Sequence, residues 1–166
     1  APAVYGPGDR ETLAYFKTVA RGLAPRPMVG ATARLSLLHV ADLADMLAAA
    51  LDRPPTRSIY EIDDGRPGGY AYSDMAEAAG AALGRPALGV PIPRIVLEGI
   101  AAFNALRQAA GGGAQILTAG KAAEMFHPDW VAHDRRLAAG LGFIPRFDLR
   151  SGFADTVQWY KAHKWL

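Results

Sequence analysis

Residues 35–51 read LSLLHVADLADMLAAAL, and in them a short apolar segment leads directly into an alanine-rich one. Residues 35–40 predict a strand, because they form a brief run of mostly apolar side chains. Residues 42–51 predict a helix, with the Asp42 carboxylate in the first turn near the positive end of the helix dipole. The sequence Arg-Pro-Pro at 53–55 ends that helix. A strand followed at once by a helix is the unit from which α/β proteins are built.

The alternation of strand and helix continues on both sides of this unit. Apolar or alternating segments predict further extended pieces at residues 1–5, 58–62, 89–93 and 129–133. Apolar spacing and capping signals predict helices at residues 11–23, 74–83, 94–108, 119–126, 135–141 and 151–163. The pattern therefore predicts an α/β fold. Its character shifts near residue 65, from strand–helix alternation to a helix-rich remainder, and this predicts a boundary between two parts.

Polar residues and glycine mark several predicted helix ends. Asp74 and Glu77 have the D-x-x-E spacing of a capping box. Gly84 is suited to end the same helix, because glycine adopts the left-handed conformation at low cost. Thr118 and Asp134 are predicted to cap the helices that follow them.

Composition excludes several classes of function. The chain has 166 residues, 51% hydrophobic and 20% charged, with 18 basic and 16 acidic side chains and a net charge of +2. So small a surplus, without a basic stripe, predicts no nucleic-acid partner. Cysteine is absent, and a proline-containing loop separates His127 from His133, so no metal site is expected. No apolar run approaches the roughly 20 residues of a membrane span, and we expect a cytoplasmic protein without a membrane partner.

Three parts of the chain carry motifs. Residues 2–8 read PAVYGPG, residues 39–44 read HVADLA, and residues 141–145 and 156–160 read LGFIP and TVQWY. In this order they resemble the C-terminal part of the short-chain dehydrogenase/reductase superfamily, in its extended NAD-dependent epimerase/dehydratase branch. The resemblance implies the end of a Rossmann-type NAD(P)-binding domain, with its parallel sheet, over residues 1–65. It implies a small helix-rich substrate-binding lobe over residues 66–166.

Two motifs of the resembled family have no counterpart in the expected place. One is the glycine-rich turn whose backbone N–H groups hold the cofactor pyrophosphate. The other is the Tyr-x-x-x-Lys pair, in which the tyrosine acts as general acid or base for hydride transfer. Tyr160 and Lys164 have the right spacing, but the family's pair precedes the segment that resembles Pro2–Gly8. We therefore expect no catalytic residue in this chain and no activity of the chain by itself.

The cofactor contacts implied by the resemblance fall on Pro2, Ala3 and Val4. In the family this backbone passes the nicotinamide carboxamide, and an unpaired strand-end N–H and C=O suit an amide. The cofactor would be NAD or NADP in the intact parent protein, and we expect none to be bound by this chain alone. The alternative is a plain strand end without a ligand.

The substrate contacts are predicted at Tyr5, Gly6, Arg10, His39 and Trp130. The glycine turn after Tyr5 allows a ligand to approach closely, and Arg10 offers a charge to an anionic substrate. Met125, Phe126 and Trp130, with the preceding glycine-rich residues as a hinge, are predicted to cover the substrate pocket as a mobile lid. Each position has a structural alternative: a simple turn, a solvated helix start, a hydrogen-bonded histidine or a packed helix.

One position bears on the class of substrate. Sugar-nucleotide epimerases of the resembled branch often carry an arginine four residues before the histidine that matches His39. Here that position is Leu35, and Arg34 is one residue away, which on a strand directs its side chain to the opposite face. The pattern favours a reductase or dehydrogenase of a smaller apolar or ketone-like substrate.

These observations predict the C-terminal substrate-binding part of an NAD(P)-dependent oxidoreductase, epimerase or dehydratase with a small-molecule substrate. The alternative is a non-catalytic binding or scaffold module with the same fold, and a third possibility is an independent α/β domain of accidental similarity. The chain begins inside a predicted strand, so we expect the first half of the sheet to lie in preceding sequence. Its open edge predicts association with that missing N-terminal half or with a second copy.

Overall fold

The structure is a computed structural model that describes residues 2–30, 32–53, 59–109, 111 and 118–166. Within these residues the strands are β1 (Ala3–Tyr5), β2 (Leu23–Pro27), β3 (Arg34–Leu35), β4 (Leu37–His39), β5 (Leu88–Ile92) and β6 (Asp129–Trp130). The helices are α1 (Arg10–Val19), α2 (Val40–Asp52), α3 (Tyr72–Leu83), α4 (Arg94–Ala109), α5 (Ala119–Met125), α6 (Arg136–Leu141) and α7 (Leu149–Ala162).

The strands of the described residues pair in parallel: β1 with β4, β2 with β5, and β3 with β6. Ser36 connects two of these pairs, because its N–H donates to the Trp130 carbonyl at 2.9 Å and its carbonyl accepts from the Ala3 N–H at 3.2 Å. Parallel strands need helical crossovers, so the pairing confirms the predicted α/β fold class.

The core forms where α1 and α7 close over β1. Phe16 is fully buried and packs edge-on against Phe153 and Tyr160, at ring distances of 5.0 and 5.8 Å. Tyr5 meets the same cluster at 5.1 Å from Phe153. The apolar stripe predicted for the last helix, including Val157, is therefore buried as expected.

Pairing between distant strands explains two differences from the predicted elements. The helix predicted for residues 11–23 ends at Val19, because Gly22 turns the chain at φ +89° and Leu23 pairs with Leu88. The strand predicted for residues 35–40 breaks at Ser36 and ends at His39, where the helix begins.

A third difference concerns the strand predicted for residues 58–62. Ser58 lies outside the described residues, and residues 59–62 have no regular structure. There the Glu61 carboxylate accepts the backbone N–H groups of His133 and Asp134, at 2.7 and 3.1 Å. A side chain, rather than a strand ladder, fixes this segment.

The helix ends follow the predicted signals in part. Thr118 caps α5 by accepting from the Lys121 N–H, and Gly84 ends α3 in the left-handed conformation at φ +74°. The predicted caps at the starts of α3 and α6 differ in detail. Asp74 reaches back to the Ala71 N–H, whereas Glu77 pairs with Arg150. Asp134 lies two residues before the first residue of α6 and accepts from the Arg136 N–H.

Two further observations apply to the described ranges only. No helix there combines the length and apolar character that crossing a bilayer requires. In the same ranges, no cluster of three or more His, Asp or Glu side chains is arranged to hold a metal ion.

Candidate functional site

The carboxyl ends of β1 and β4 lie side by side, since Tyr5 and His39 are register partners. In α/β sheets, ligands bind beyond the carboxyl ends of parallel strands. Here β1 is followed by a turn that the Asp9 N–H closes by donating to the Gly6 carbonyl at 3.2 Å. The Asp9 side chain then caps α1 through the N–H groups of Glu11 and Thr12. The turn over residues 6–9 is thus held from both ends.

The outer edge of β1 offers backbone groups to a partner. Ala3 donates its N–H towards β4 through Ser36, so the amide groups of Val4 are directed to the opposite edge. Among the described residues, no strand pairs with that edge. The Val4 side chain is 39% exposed. The segment predicted to be a buried strand end therefore has an accessible side, which carries the donors and acceptors that an amide ligand needs.

Gly6 lies directly against the start of α2. Its φ is +151°, and a Cβ placed there would lie 2.5 Å from Val40 Cγ1 and 3.3 Å from His39 Nε2. Only a glycine allows the turn to approach the helix so closely.

Replacing Gly6 with alanine is expected to lower the free energy of unfolding by about 2 kcal/mol, because φ strain adds to the contact with Val40. Chemical denaturation of the variant measures the loss. Gly8→Ala is the matched control, since it has a positive φ of +82° but no neighbouring atom within 4 Å. Equal losses in both variants would show that the backbone conformation alone accounts for the effect.

His39 lies beneath this turn, and 1% of the residue is exposed to solvent. Its Nδ1 accepts the Ala41 N–H at 3.3 Å and so caps α2. Its ring stacks at 4.0 Å on Phe147 and meets the Tyr5 ring edge-on at 5.5 Å. Burial lowers the pKa of His39, and Asp155 partly opposes that shift. The imidazole is therefore held neutral, with its proton on Nε2.

Asp42 ties the second motif segment to the third. Its side chain is fully buried, and its two carboxylate oxygens accept the backbone N–H groups of Arg146 and Phe147 at 3.1 and 3.0 Å. Arg146 also approaches the same carboxylate with its guanidinium, at 3.5 Å. Asp42 thus anchors the backbone of the segment before α7 to α2.

The first and third motif segments are connected by two tyrosines. The Tyr5 hydroxyl donates to the Asp148 carbonyl at 3.4 Å, and the Tyr160 hydroxyl donates to the Asp9 carbonyl. Burial raises the pKa of both phenols, so both remain neutral donors. The three motif segments therefore form one connected arrangement around the turn over residues 6–9.

Comparison with known proteins shows which folds this arrangement resembles. Ceramide reductase of Caulobacter vibrioides is 35% identical over 170 residues, which cover 99% of this chain and 51% of that protein. A human epimerase family protein crystallised with NADPH superposes with a TM-score of 0.70 at 20% identity, over 95% of this chain and 46% of its own. By fold, the chain resembles the C-terminal part of NAD-dependent epimerase/dehydratase proteins. The resemblance seen in the sequence is thereby confirmed.

A further solved structure has the same fold. dTDP-glucose 4,6-dehydratase of Bacillus anthracis, crystallised with NAD, superposes with a TM-score of 0.63 at 16% identity, over 99% of this chain and 44% of its own. No protein-family model matches the chain. The chain spans about half the length of the relatives it matches.

The structure brings some of the predicted site residues together. Ala3, Val4, Tyr5 and Gly6 are consecutive on β1 and its turn, after Pro2, which is buried, and His39 lies beneath them. Tyr5, Gly6 and His39 are buried, so the expected direct contacts of these residues with substrate are not seen, whereas Ala3 and Val4 are exposed on the outer edge of β1. In the family fold, this end of the sheet is the one suited to a ligand.

The other two predicted residues have different neighbours. Arg10 is exposed, with its guanidinium 5.5 Å from the Trp165 ring centre. Trp130 donates its Nε1–H to the Glu124 carbonyl at 2.9 Å and packs against His127 at 4.9 Å. Trp130 is thus tied to the end of α5, in the part of the chain predicted to form a lid. Of the predicted hinge, residues 112–117 lie outside the described residues.

A second polar arrangement, which sequence reasoning missed, fixes the loop before α6. Asp63 is 4% exposed, accepts the Ser36 hydroxyl at 2.9 Å and forms an ion pair with Arg135. The Ser36 hydroxyl oxygen in turn accepts the Ala132 N–H at 3.1 Å. These groups lie 27 to 96 residues apart along the chain, so no local spacing could have revealed them.

Beside it, Asp64 and Tyr70 line a cleft of about 470 Å³ at the start of α7. The Tyr70 hydroxyl donates to the Asp64 carboxylate at 2.6 Å. Burial raises the pKa of Asp64, and burial together with the neighbouring carboxylate raises the pKa of Tyr70. The pair stabilises the loop over residues 63–69, and its donor and acceptor satisfy one another.

Proposed function

We propose that this chain is the C-terminal, substrate-binding part of an NAD(P)-dependent reductase that acts on a lipid of the ceramide class. The observation that carries the proposal is the 35% identity to ceramide reductase, which extends over 99% of the chain. Hydride transfer to a ketone of such a lipid, with a proton added to its oxygen, would give the corresponding alcohol and the oxidised cofactor.

The arginine position supports a substrate other than a sugar nucleotide. Leu35 stands where the sugar-nucleotide enzymes often carry arginine, and it bridges to Tyr70 within the structure. The neighbouring Arg34 lies 3.8 Å from the Asp74 carboxylate of α3. In this fold the Arg34 guanidinium thus has a carboxylate as its neighbour.

Helix α4 supports a lipid substrate, because it displays an apolar face. Its large apolar side chains are 44–77% exposed: Ile95, Val96, Ile100, Phe103 and Leu106. Monomeric soluble proteins seldom expose contiguous apolar surface of this kind without a function for it. An alkyl chain of the substrate would cover part of this face, which lies in the part of the chain predicted to bind substrate.

The cofactor would bind along the outer edge of β1. Pro2, Ala3 and Val4 would contact the nicotinamide of NAD or NADP through backbone groups, and Gly6 would admit the ligand. Tyr5 and His39 would shape the turn from beneath, and Arg10 and Trp130 would contact the substrate from the rim. We keep the division at residue 65 between the cofactor-binding and substrate-binding parts as a proposal.

The pyrophosphate cradle and the Tyr-x-x-x-Lys pair would come from an N-terminal half. We therefore propose that the chain alone binds no cofactor and is inactive, and that its open β1 edge associates with that half or with a second copy. A reductase that draws on the cellular nicotinamide pool would work in the cytoplasm.

The proposal is tested by restoring the other half. We expect a fusion of this chain to the part of the Caulobacter ceramide reductase that it does not cover to oxidise NADPH with an N-acylated long-chain amino ketone. The rate should exceed that of the chain alone by about 100-fold or more, as general acid–base catalysis requires.

UDP-glucose and dTDP-glucose serve as matched substrates, and chromatography of the sugar products should show neither an epimer nor a dehydrated sugar; NADPH absorbance would not report these reactions, because they consume no net reductant. Turnover of the sugar nucleotides, or reduction of the ketone by the chain alone, would overturn the proposal. NADPH binding by the fusion without turnover would favour the scaffold alternative.

A further inference from the structure

The Nε2 atom of His39 is a buried donor whose role the fold alone does not explain. Because Nδ1 accepts the Ala41 N–H, the proton of the neutral ring lies on Nε2. Among the described residues, Nε2 makes no hydrogen bond of good geometry. Leaving a buried donor unpaired costs stability, so this atom needs a reason beyond packing.

The Nε2 atom has the Asp155 carboxylate on one side and Gly6 on the other. The Asp155 Oδ2 of α7 is 3.4 Å away, close enough for electrostatic attraction although its orientation makes no hydrogen bond. The position that a Cβ of Gly6 would occupy is 3.3 Å away on the turn. His39 thus stands between a carboxylate on the last helix and the glycine of the ligand-facing turn.

We infer that Asp155 and His39 are positioning residues: the carboxylate orients the imidazole, and the imidazole holds the Tyr5–Gly6 turn in place for the cofactor. The inference rests on the proposed function, which puts the nicotinamide beside this turn. Asp155 is 42% exposed on its helix, so its side chain has room to adjust towards Nε2. Catalytic hydrogen bonds are often long in an unliganded site and tighten in the complex.

The electrostatic surroundings of His39 come from four elements. Asp155 faces it from α7, Asp42 from α2, Arg146 from the segment before α7, and the Tyr5 ring from β1. Asp155 contributes more than the other charged groups to holding the pKa of His39 up against burial. Removal of that carboxylate should therefore lower the pKa of His39 further.

The test uses variants that separate the two ring nitrogens. His39→Asn keeps an acceptor near the Nδ1 position for the Ala41 N–H and removes the Nε2 donor, whereas His39→Gln keeps a donor near the Nε2 position. Asp155→Asn removes the charge without changing the shape. Glu77→Gln is the matched control, because it removes a different ion pair to α7, with Arg150.

In the fused enzyme described above, Asp155→Asn and His39→Asn should each raise the KM for NADPH about fivefold, the effect of one lost hydrogen bond. Both substitutions should change kcat less than KM. The double variant should raise the KM for NADPH no more than either single substitution does. His39→Gln should restore most of the affinity, and Glu77→Gln should have no effect. In the 166-residue chain, NMR should show the Gly6 amide shifted by both Asp155→Asn and His39→Asn, and a lower His39 titration midpoint in Asp155→Asn.

Fully additive effects on KM, or a Gly6 amide that Asp155→Asn leaves unmoved, would overturn the inference while the proposed function stands. A coupled Gly6 shift in a fusion that never reduces the lipid ketone would overturn the proposed function and leave the link from Asp155 to the turn intact.

Discussion

Replacement of Gly152 by alanine is expected to lower the free energy of unfolding by about 3 kcal/mol, at the upper end of the cost of overpacking a core. A Cβ at this position of α7 would lie 2.1 Å from the Tyr5 hydroxyl oxygen and 2.9 Å from the ring carbon that bears it. The Tyr5 ring has little room to withdraw. It is 2% exposed and is held between Phe153 at 5.1 Å and His39 at 5.5 Å.

Urea denaturation followed by circular dichroism measures this loss, and two further variants give it a cause. Tyr5→Phe in the Gly152→Ala background should recover part of the stability, because the shortest contact disappears while the ring carbon remains close. Gly99→Ala in α4 is the control: it meets no atom within 4 Å, and in a helix interior it should gain up to about 1 kcal/mol. A Gly152→Ala protein as stable as the parent would show that β1 and α7 are not packed as described.

The elements that the sequence predicted well are those fixed by their own residues. The stripe in residues 151–163 is buried in α7 because helical spacing alone brings its apolar side chains to one face. The helix predicted for residues 11–23 ran too far, because Leu23 continues the apolar spacing of α1. Its true partner is Leu88 in β5, and only that distant pairing makes it a strand residue.

In the candidate site, too, the features set by neighbouring residues were predicted, and those set by distant contacts were not. The motif segments identified the family fold, yet their order along the chain does not tell which side chains face the core. Tyr5 and His39, predicted to contact substrate, are 2% and 1% exposed. Asp155 belongs to no motif, and its relation to His39 arises only when α7 packs against β4. A side chain that acts on a residue more than a hundred positions away leaves no local signal.

Asp42 is the clearest case, since helix-dipole stabilisation was its predicted role. Asp42 does lie in the first turn of α2, and its carboxylate also accepts two backbone N–H groups, from Arg146 and Phe147, 104 and 105 residues along the chain. Those N–H groups belong to the segment that carries Phe147 onto the His39 ring. The position therefore couples α2, the entry to α7 and the floor of the candidate site.

Asp42→Ala is expected to lower the free energy of unfolding by about 3 kcal/mol, because two backbone donors lose their acceptors and a cavity is left. Asp42→Asn should lose less, since one amide oxygen can still accept one of the two N–H groups. Asp45→Ala is the matched control on the same helix. It removes an exposed partner of the same Arg146, at 2.6 Å, and exposed ion pairs contribute less than about 1 kcal/mol.

Denaturant unfolding of the three variants separates the backbone anchor from the ion pair. If Arg146 acted through its charge, Asp42→Ala and Asp45→Ala would lose similar stability, and added salt would reduce both losses. If the Asp42 carboxylate acts as the acceptor for the backbone N–H groups of residues 146 and 147, only the Asp42 variants lose stability. Added salt then leaves Asp42→Ala less stable than Asp42→Asn. We expect the second result, because Asp42 is fully buried whereas Asp45 and Arg146 are more than half exposed.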